Sequence, residues 1–284
     1  MQAPLLIDDD RLAKMQDVED YKSNSDYNST DINGALDYMK KLYVDPMRES
    51  IDIAGKTLCD CASGYGWLGL ACLFAGGARA VFVEPHPKKL NATRRFAEIL
   101  GLSDRCVFKE EYLQDISLEP GSVDIFASIE TLEHVGKANV KPSLEHMERL
   151  TKEMIVLTTP NQIFPVVSHD GVVPFAHWLP KSMRGGYVKA LGRKVEGFND
   201  FVSPWDLGIL NKRFRPVSTT LTFTSHKAWR DHYPCYTPYG CFWRDAPNRY
   251  LSAYLKTIEQ VSGRSSYWLS PNLASVWLSK DMAS

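Results

Sequence analysis

Leu58-Cys59-Asp60-Cys61-Ala62-Ser63-Gly64-Tyr65-Gly66 reads as a buried strand running into a glycine turn, and Val81-Phe82-Val83-Glu84 as a second strand ending in an acid eighteen residues after Gly66. Two glycines let the backbone pass close to a ligand, and the helix that follows points its first amides at whatever sits there. The carboxylate at the end of the second strand is placed to accept two hydrogen bonds from a ribose. This geometry builds a nucleotide cradle.

Two ligands suit such a cradle. Gly64-Tyr65-Gly66-Trp67-Leu68-Gly69 matches G-x-G-x-x-G with an acid about 20 residues on, the pattern of a dinucleotide site. Asp60, four residues before the first glycine, argues the other way. An acid there suits a cationic ligand and would repel a pyrophosphate.

The surrounding chain alternates strand and helix, the signature of a parallel sheet covered on both faces. Strands are expected at Thr57–Cys61, Ala80–Val83, Cys106–Lys109, Val123–Ser128 and Met154–Thr159. Between them lie helices at Trp67–Phe74, at Pro87–Leu100 with Gly101 as its stop, and from Lys137 or Val140 to Leu150. A helix over Ser203–Arg213, a strand at Thr219–Phe223 and a last strand at Leu273–Leu278 complete the expected core. Ahead of it, the polar residues 1–31 read as a mobile arm or lid, and Ile32–Ile53 as one amphipathic helix or two.

Four motifs in order, the second being Val81-Phe82-Val83-Glu84 with its terminal acid, resemble the class I S-adenosylmethionine-dependent methyltransferases. Asp60 through Gly66 resembles their first motif, (D/E)-x-(G/A)-x-G-x-G. Asp124-Ile125-Phe126-Ala127-Ser128-Ile129-Glu130-Thr131-Leu132-Glu133-His134-Val135 resembles their fourth-strand segment, and Met154 to Asn161 their fifth strand. The subgroup most similar is the quinone-biosynthesis and small-molecule O-methyltransferases. The resemblance implies an α/β fold with a doubly wound, mostly parallel seven-stranded sheet. It also implies S-adenosyl-L-methionine as cofactor and methyl transfer to a small-molecule, lipid or sugar acceptor, at oxygen. It assigns cofactor binding to Asp60, Ala62, Gly64, Gly66, Glu84, Pro85, Glu111, Tyr112, Ser128 and Glu130. The family's Gly-Asp after the third strand is replaced by Lys109-Glu110-Glu111-Tyr112, which leaves the register between Glu111 and Tyr112 open, with Phe108 beside them. His134 and His177 are candidate general bases, since histidine titrates near working pH. For His134 the competing reading is a tether of the following helix.

Two stretches exceed the family's usual connections. Residues 162–202 hold Phe175-Ala176-His177-Trp178-Leu179-Pro180, and 224–271 hold ten aromatics in 48 residues. Both read as substrate-cap insertions, over a core of 51–161, 203–223 and 272–284 and an N-terminal segment of 1–50. His169, His226, His232 and the aromatics Trp229, Tyr233 and Tyr236 sit in or beside these inserts. They line an acceptor pocket or form the cap's own small core.

Composition excludes several classes. A net charge of −1 gives no basic field for nucleic acid. No apolar run spans a bilayer and no signal-peptide pattern opens the chain, so a cytoplasmic protein is expected. The six cysteines, at 59, 61, 72, 106, 235 and 241, form no C-x-x-C pair, and no metal is expected. Lys181 to Lys194 is basic and amphipathic; it reads as a solvated helix face, or as a contact for an anionic substrate or membrane surface. No G-x-S-x-G and no Walker loop occurs, which removes acyl and phosphoryl transfer. A nicotinamide-dependent dehydrogenase and a non-catalytic binding protein of the same fold remain as alternatives.

Overall fold

The computed structural model describes residues 7–167, 172–194, 197–232 and 246–283. Seven strands form one sheet in the order β3-β2-β1-β4-β5-β7-β6. They are β1 Thr57–Cys61, β2 Arg79–Val83, β3 Cys106–Lys109, β4 Val123–Ile129, β5 Thr151–Thr158, β6 Phe214–Val217 and β7 Ser275–Ser279. β1 pairs in parallel with β2 and β4, and β2 with β3; β6 runs antiparallel to β7. The chain divides into two compact units, Met1–Ser128 with Arg149–Ile155, and Ile129–Glu148 with Val156–Ser284.

In the first unit the helices are α1 Asp9–Gln16, α2 Glu19–Lys22, α3 Ile32–Met39, α4 Asp45–Arg48, α5 Trp67–Phe74 and α6 Pro87–Ile99. α5 is apolar all round and buried along seven of its eight residues, as a helix inside a layered α/β unit must be. α6 is amphipathic, turning Leu90, Thr93, Phe96 and Ala97 inward. It ends where Gly101 takes φ +70°, with Gly101 N–H on Glu98 O and Leu102 N–H on Ala97 O. These two bonds satisfy carbonyls the helix would otherwise strand at its end.

The N-terminal residues carry more structure than their polarity suggests. Tyr21 is fully buried among Tyr65, Trp67 and Phe96, with ring centroids 5.0, 6.0 and 5.3 Å away. Asn24 donates its side-chain amide to the Tyr65 hydroxyl at 2.9 Å. Tyr21 and Asn24 are therefore seated against Tyr65 of the glycine turn.

The second unit holds α7 Lys137–Leu150, α8 Lys181–Ala190, α9 His226–His232 and α10 Arg249–Ser262. Its terminal strands differ from the sequence expectation. The expected strand at Thr219–Phe223 is a single bridge, Thr219 to Thr222, and the sheet takes Phe214–Val217 instead. Pro216 sits in this strand, which argues locally against a strand but is tolerated at the edge of a sheet, where β6 lies. The expected helix over 203–213 is a 3-10 stretch, Asp206–Lys212. His169, Tyr233, Tyr236, Cys235 and Cys241 lie outside the described residues.

Candidate cofactor cradle and acceptor side

The cradle lies in the first unit. β1 holds Asp60 beside Phe82 of β2 and Ala127 of β4, so the acid is 4% exposed. Its Oδ2 accepts from Gly69 N–H at 2.9 Å, in the first turn of α5. The residue preceding α5 is Gly66, which has no side chain to cap the helix, and Asp60 meets that need from the neighbouring strand. Burial pushes the Asp60 carboxyl up to about 7, with the Gly69 amide opposing and the Glu84 charge adding to it.

The turn is unusual at three positions. Gly64 and Gly66 take φ +56° and +74°, and Ala62 takes +55° although it is not glycine. A Cβ on Gly66 would stand 2.4 Å from Thr93 and 2.9 Å from Phe82, and one on Gly69 2.3 Å from Phe82. These two glycines serve close packing of α5 against β2 and α6. Gly64 differs, because nothing lies within 4 Å of the place a Cβ would take. Its open face is the floor of the cradle.

Glu84, 3% exposed, closes the other side. One carboxylate oxygen accepts from Gly64 N–H at 2.8 Å and the other from His86 N–H at 3.1 Å. The acid thus fixes the turn and the start of α6, with Pro85 between the two anchored positions. The Ser63 and Ser128 hydroxyls are buried without a hydrogen-bond partner. A cleft of about 500 Å³ runs beside the turn, lined by Asn24, Tyr65, His86 and Lys89 among others. A buried acid, an open glycine face and two unsatisfied hydroxyls fit a polar, cation-bearing ligand.

Glu111 and Tyr112 fit the expectation less directly. Although burial works against it, the Ser117 hydroxyl and amide and the Lys109 ammonium hold Glu111 below the usual carboxylate range. Both carboxylate oxygens are engaged by Ser117, and the Tyr112 side chain is 59% exposed.

The second unit contains the remaining predicted residues. Glu130 and Glu133 follow β4. Glu133 is buried, and its Oε2 accepts from the Thr159 hydroxyl at 3.1 Å. Burial, then the neighbouring Glu130 charge, lifts its carboxyl well above the usual range. Glu130 pairs with Asn272, a partner 142 residues away that no local pattern marks. His134 presents an exposed ring, with Nε2 3.8 Å from Glu133. His177 is 2% exposed, and its Nε2 and the Trp178 indole both reach the Gln162 carbonyl, at 2.9 and 2.7 Å.

The basic segment is partly internal. Arg184 is buried and donates to the carbonyls of His177, Leu179 and Asn199, and Lys181 pairs with Asp200 at 2.7 Å. Met183 and Leu191 of the same segment are exposed. No described helix is long and apolar enough to cross a membrane.

The Asp60 shift gives a direct test. The folded state holds this proton more tightly than the unfolded chain, so Asp60's contribution turns unfavourable as pH rises from 3.8 to about 7. Urea unfolding of the ligand-free protein and of Asp60→Asn, across that window, should show the variant gaining on the wild type as pH rises. A stability difference that stays flat with pH would refute the buried, protonated acid.

Comparison with known proteins follows the same lines. Residues 58–154 match the family described as a methyltransferase domain. Over 57 residues the chain is 40% identical to the ribosomal protein L11 methyltransferase of Escherichia coli, and spans 20% of the length of that relative. A Galdieria sulphuraria structure described as a sarcosine dimethylglycine methyltransferase superposes with a TM-score of 0.51. It is 13% identical, and the match covers 86% of this chain and 84% of that one. At that identity the likeness speaks for the fold: the chain has the class I methyltransferase fold.

Proposed function

We propose that the protein is an S-adenosyl-L-methionine-dependent methyltransferase acting on a small-molecule acceptor, at oxygen. The observation that carries this reading is the buried Asp60 set beneath an open glycine turn whose other side is Glu84. Asp60, Ala62, Gly64, Gly66, Glu84 and Pro85 would hold the cofactor, the Asp60 carboxylate by facing the cofactor's positively charged group and Glu84 by accepting from the ribose hydroxyls. The bound cofactor supplies an electrophilic methyl group on a good leaving group. The protein's part is to align the acceptor and exclude water.

A dinucleotide fits this site poorly. Glu84 suits the ribose of either ligand, but the carboxyl of Asp60, buried beneath the turn, suits a cationic group and not a pyrophosphate. The insertions 162–202 and 224–271 are assigned to the acceptor side. Of the two candidate bases, His134 has the exposed ring that a proton acceptor needs, while the Nε2 of His177 is engaged by a backbone carbonyl. The relative acting on ribosomal protein L11 shares too short a stretch to transfer its acceptor.

Titration calorimetry of the full chain tests the reading. S-adenosylhomocysteine should bind and NAD should not. Absence of S-adenosylhomocysteine binding, or preference for NAD, would reject it.

A further inference from the structure

Residues 172–194 carry five basic residues and no acidic one, in a chain whose net charge is −1. The same stretch turns hydrocarbon to water. Of the thirteen large apolar side chains exposed among the described residues, five fall here: Val172, Phe175, Trp178, Met183 and Leu191, between 46 and 58% exposed. Single apolar residues on a surface are ordinary, but a gathering of them marks an interaction site. Packing sets them side by side. Met183, Tyr187 and Leu191 stand four residues apart in a row along α8 and its C-cap. Tyr187 donates its hydroxyl to the Pro174 carbonyl at 3.1 Å, which lays Phe175 next to that row. Phe175 holds its place with a left-handed backbone, φ +61°, pinned by its N–H on Pro165 O at 2.7 Å. Its ring packs on Trp178, centroids 4.9 Å apart. Underneath, Val173, Ala176 and Val188 form a small core, and buried Arg184 ties the carbonyls of His177 and Leu179 to α8.

Chemistry narrows the partner. The polar ends of the rings are used inside the protein: the Trp178 indole donates to Gln162 O at 2.7 Å and the Tyr187 hydroxyl to Pro174 O. What these rings turn outward is hydrocarbon. Of the five cations, Lys181 pairs with Asp200 and Arg184 is buried. Lys189, Arg193 and Lys194 are exposed and make no ion pair among the described residues. Charge alone would suit the solvated C-terminal end of a helix. Charge flanking exposed rings and aliphatic chains suits an anionic lipid surface, whose headgroups take the cations while its acyl boundary takes the apolar side chains. A nucleic acid would meet the same cations, but it offers nothing to Val172, Met183 and Leu191, which cannot stack on bases.

We propose that residues 172–194 form a peripheral docking surface for an anionic lipid bilayer. Phe175, Trp178, Met183 and Leu191 enter the headgroup boundary, and Lys189, Arg193 and Lys194 hold the headgroups. The contact lies in the plane of the interface and needs no spanning helix. It goes beyond the methyl-transfer reading and is tested without it.

The test is co-sedimentation of the full chain with vesicles of phosphatidylcholine and phosphatidylglycerol in equal parts, and with vesicles of phosphatidylcholine alone. A thermal melt of each variant checks its folding. The wild type should bind the mixed vesicles at least about tenfold more tightly than the neutral ones, and more weakly as salt is added. Lys189→Gln, Arg193→Gln and Lys194→Gln combined should raise the half-binding lipid concentration about a hundredfold, since each basic residue near an anionic surface contributes roughly fivefold. Met183→Ser with Leu191→Ser should raise it about tenfold through lost hydrocarbon burial. Either set decides the matter if the other does not fold. A wild type that binds neither kind of vesicle, or both alike, would overturn the surface. So would mixed-vesicle binding that survives unchanged in the serine variant. Loss in the charge variant alone, matched by its loss of binding to a single-stranded RNA oligonucleotide, would give the patch to a polyanion instead.

Discussion

Alanine in place of Glu84 is expected to weaken S-adenosylhomocysteine binding by about two orders of magnitude, as loss of charge-assisted hydrogen bonds worth roughly 1.5–3 kcal/mol each implies. The acid already spends one oxygen on Gly64 N–H and the other on His86 N–H, so its geometry is preset before any ligand arrives. Removing it deletes the ribose acceptors and leaves two backbone donors to reorganise. Glu84→Gln separates these effects, because its amide oxygen can still serve Gly64 while its nitrogen cannot serve His86. The alanine variant should therefore bind more weakly than the glutamine variant, and both more weakly than the wild type. Calorimetry that finds Glu84→Ala within about threefold of wild type would remove Glu84 from the cradle.

The second large effect falls on stability. Gly66→Ala combines a left-handed backbone, disfavoured by about 1–2 kcal/mol for an L-residue, with overpacking that costs typically 1–3 kcal/mol. The new methyl group would meet Thr93 at 2.4 Å and Phe82 at 2.9 Å, side chains fixed in a buried layer. A loss of roughly 2–5 kcal/mol is expected, visible as a lower denaturant midpoint. Gly64→Ala provides the contrast. Its φ is also positive, but the space before it is open, so it should lose only the backbone part in stability and lose cofactor affinity instead. Equal destabilisation by the two substitutions would contradict the division of labour between the glycines.

Much of the first unit is legible in sequence because its signals are local. Strand β1, the glycine turn and the acid ending β2 fall within 28 residues, and each carries its own pattern. The helix stop at Gly101 is equally local. What sequence misses depends on partners far along the chain. Nothing near Asn272 announces Glu130, and nothing near Tyr21 announces the slot between Tyr65 and Phe96. Strand β6 is hidden by Pro216, whose cost vanishes only at a sheet edge, a property of topology and not of the segment. Ala62 is hidden for a related reason: its left-handed backbone follows from the turn it occupies, not from its residue type.

The seating of Tyr21 changes what a shortened chain would be. Polar chain ends are ordinarily trimmed without harm, because little of the fold rests on them. Here a chain beginning at Ile32 would lose the phenol ring that fills the space between Tyr65, Trp67 and Phe96, and the amide that holds the Tyr65 hydroxyl. The resulting void would open beneath the glycine turn and not at the terminus, so the damage of truncation would be read out as slackness in the nucleotide cradle.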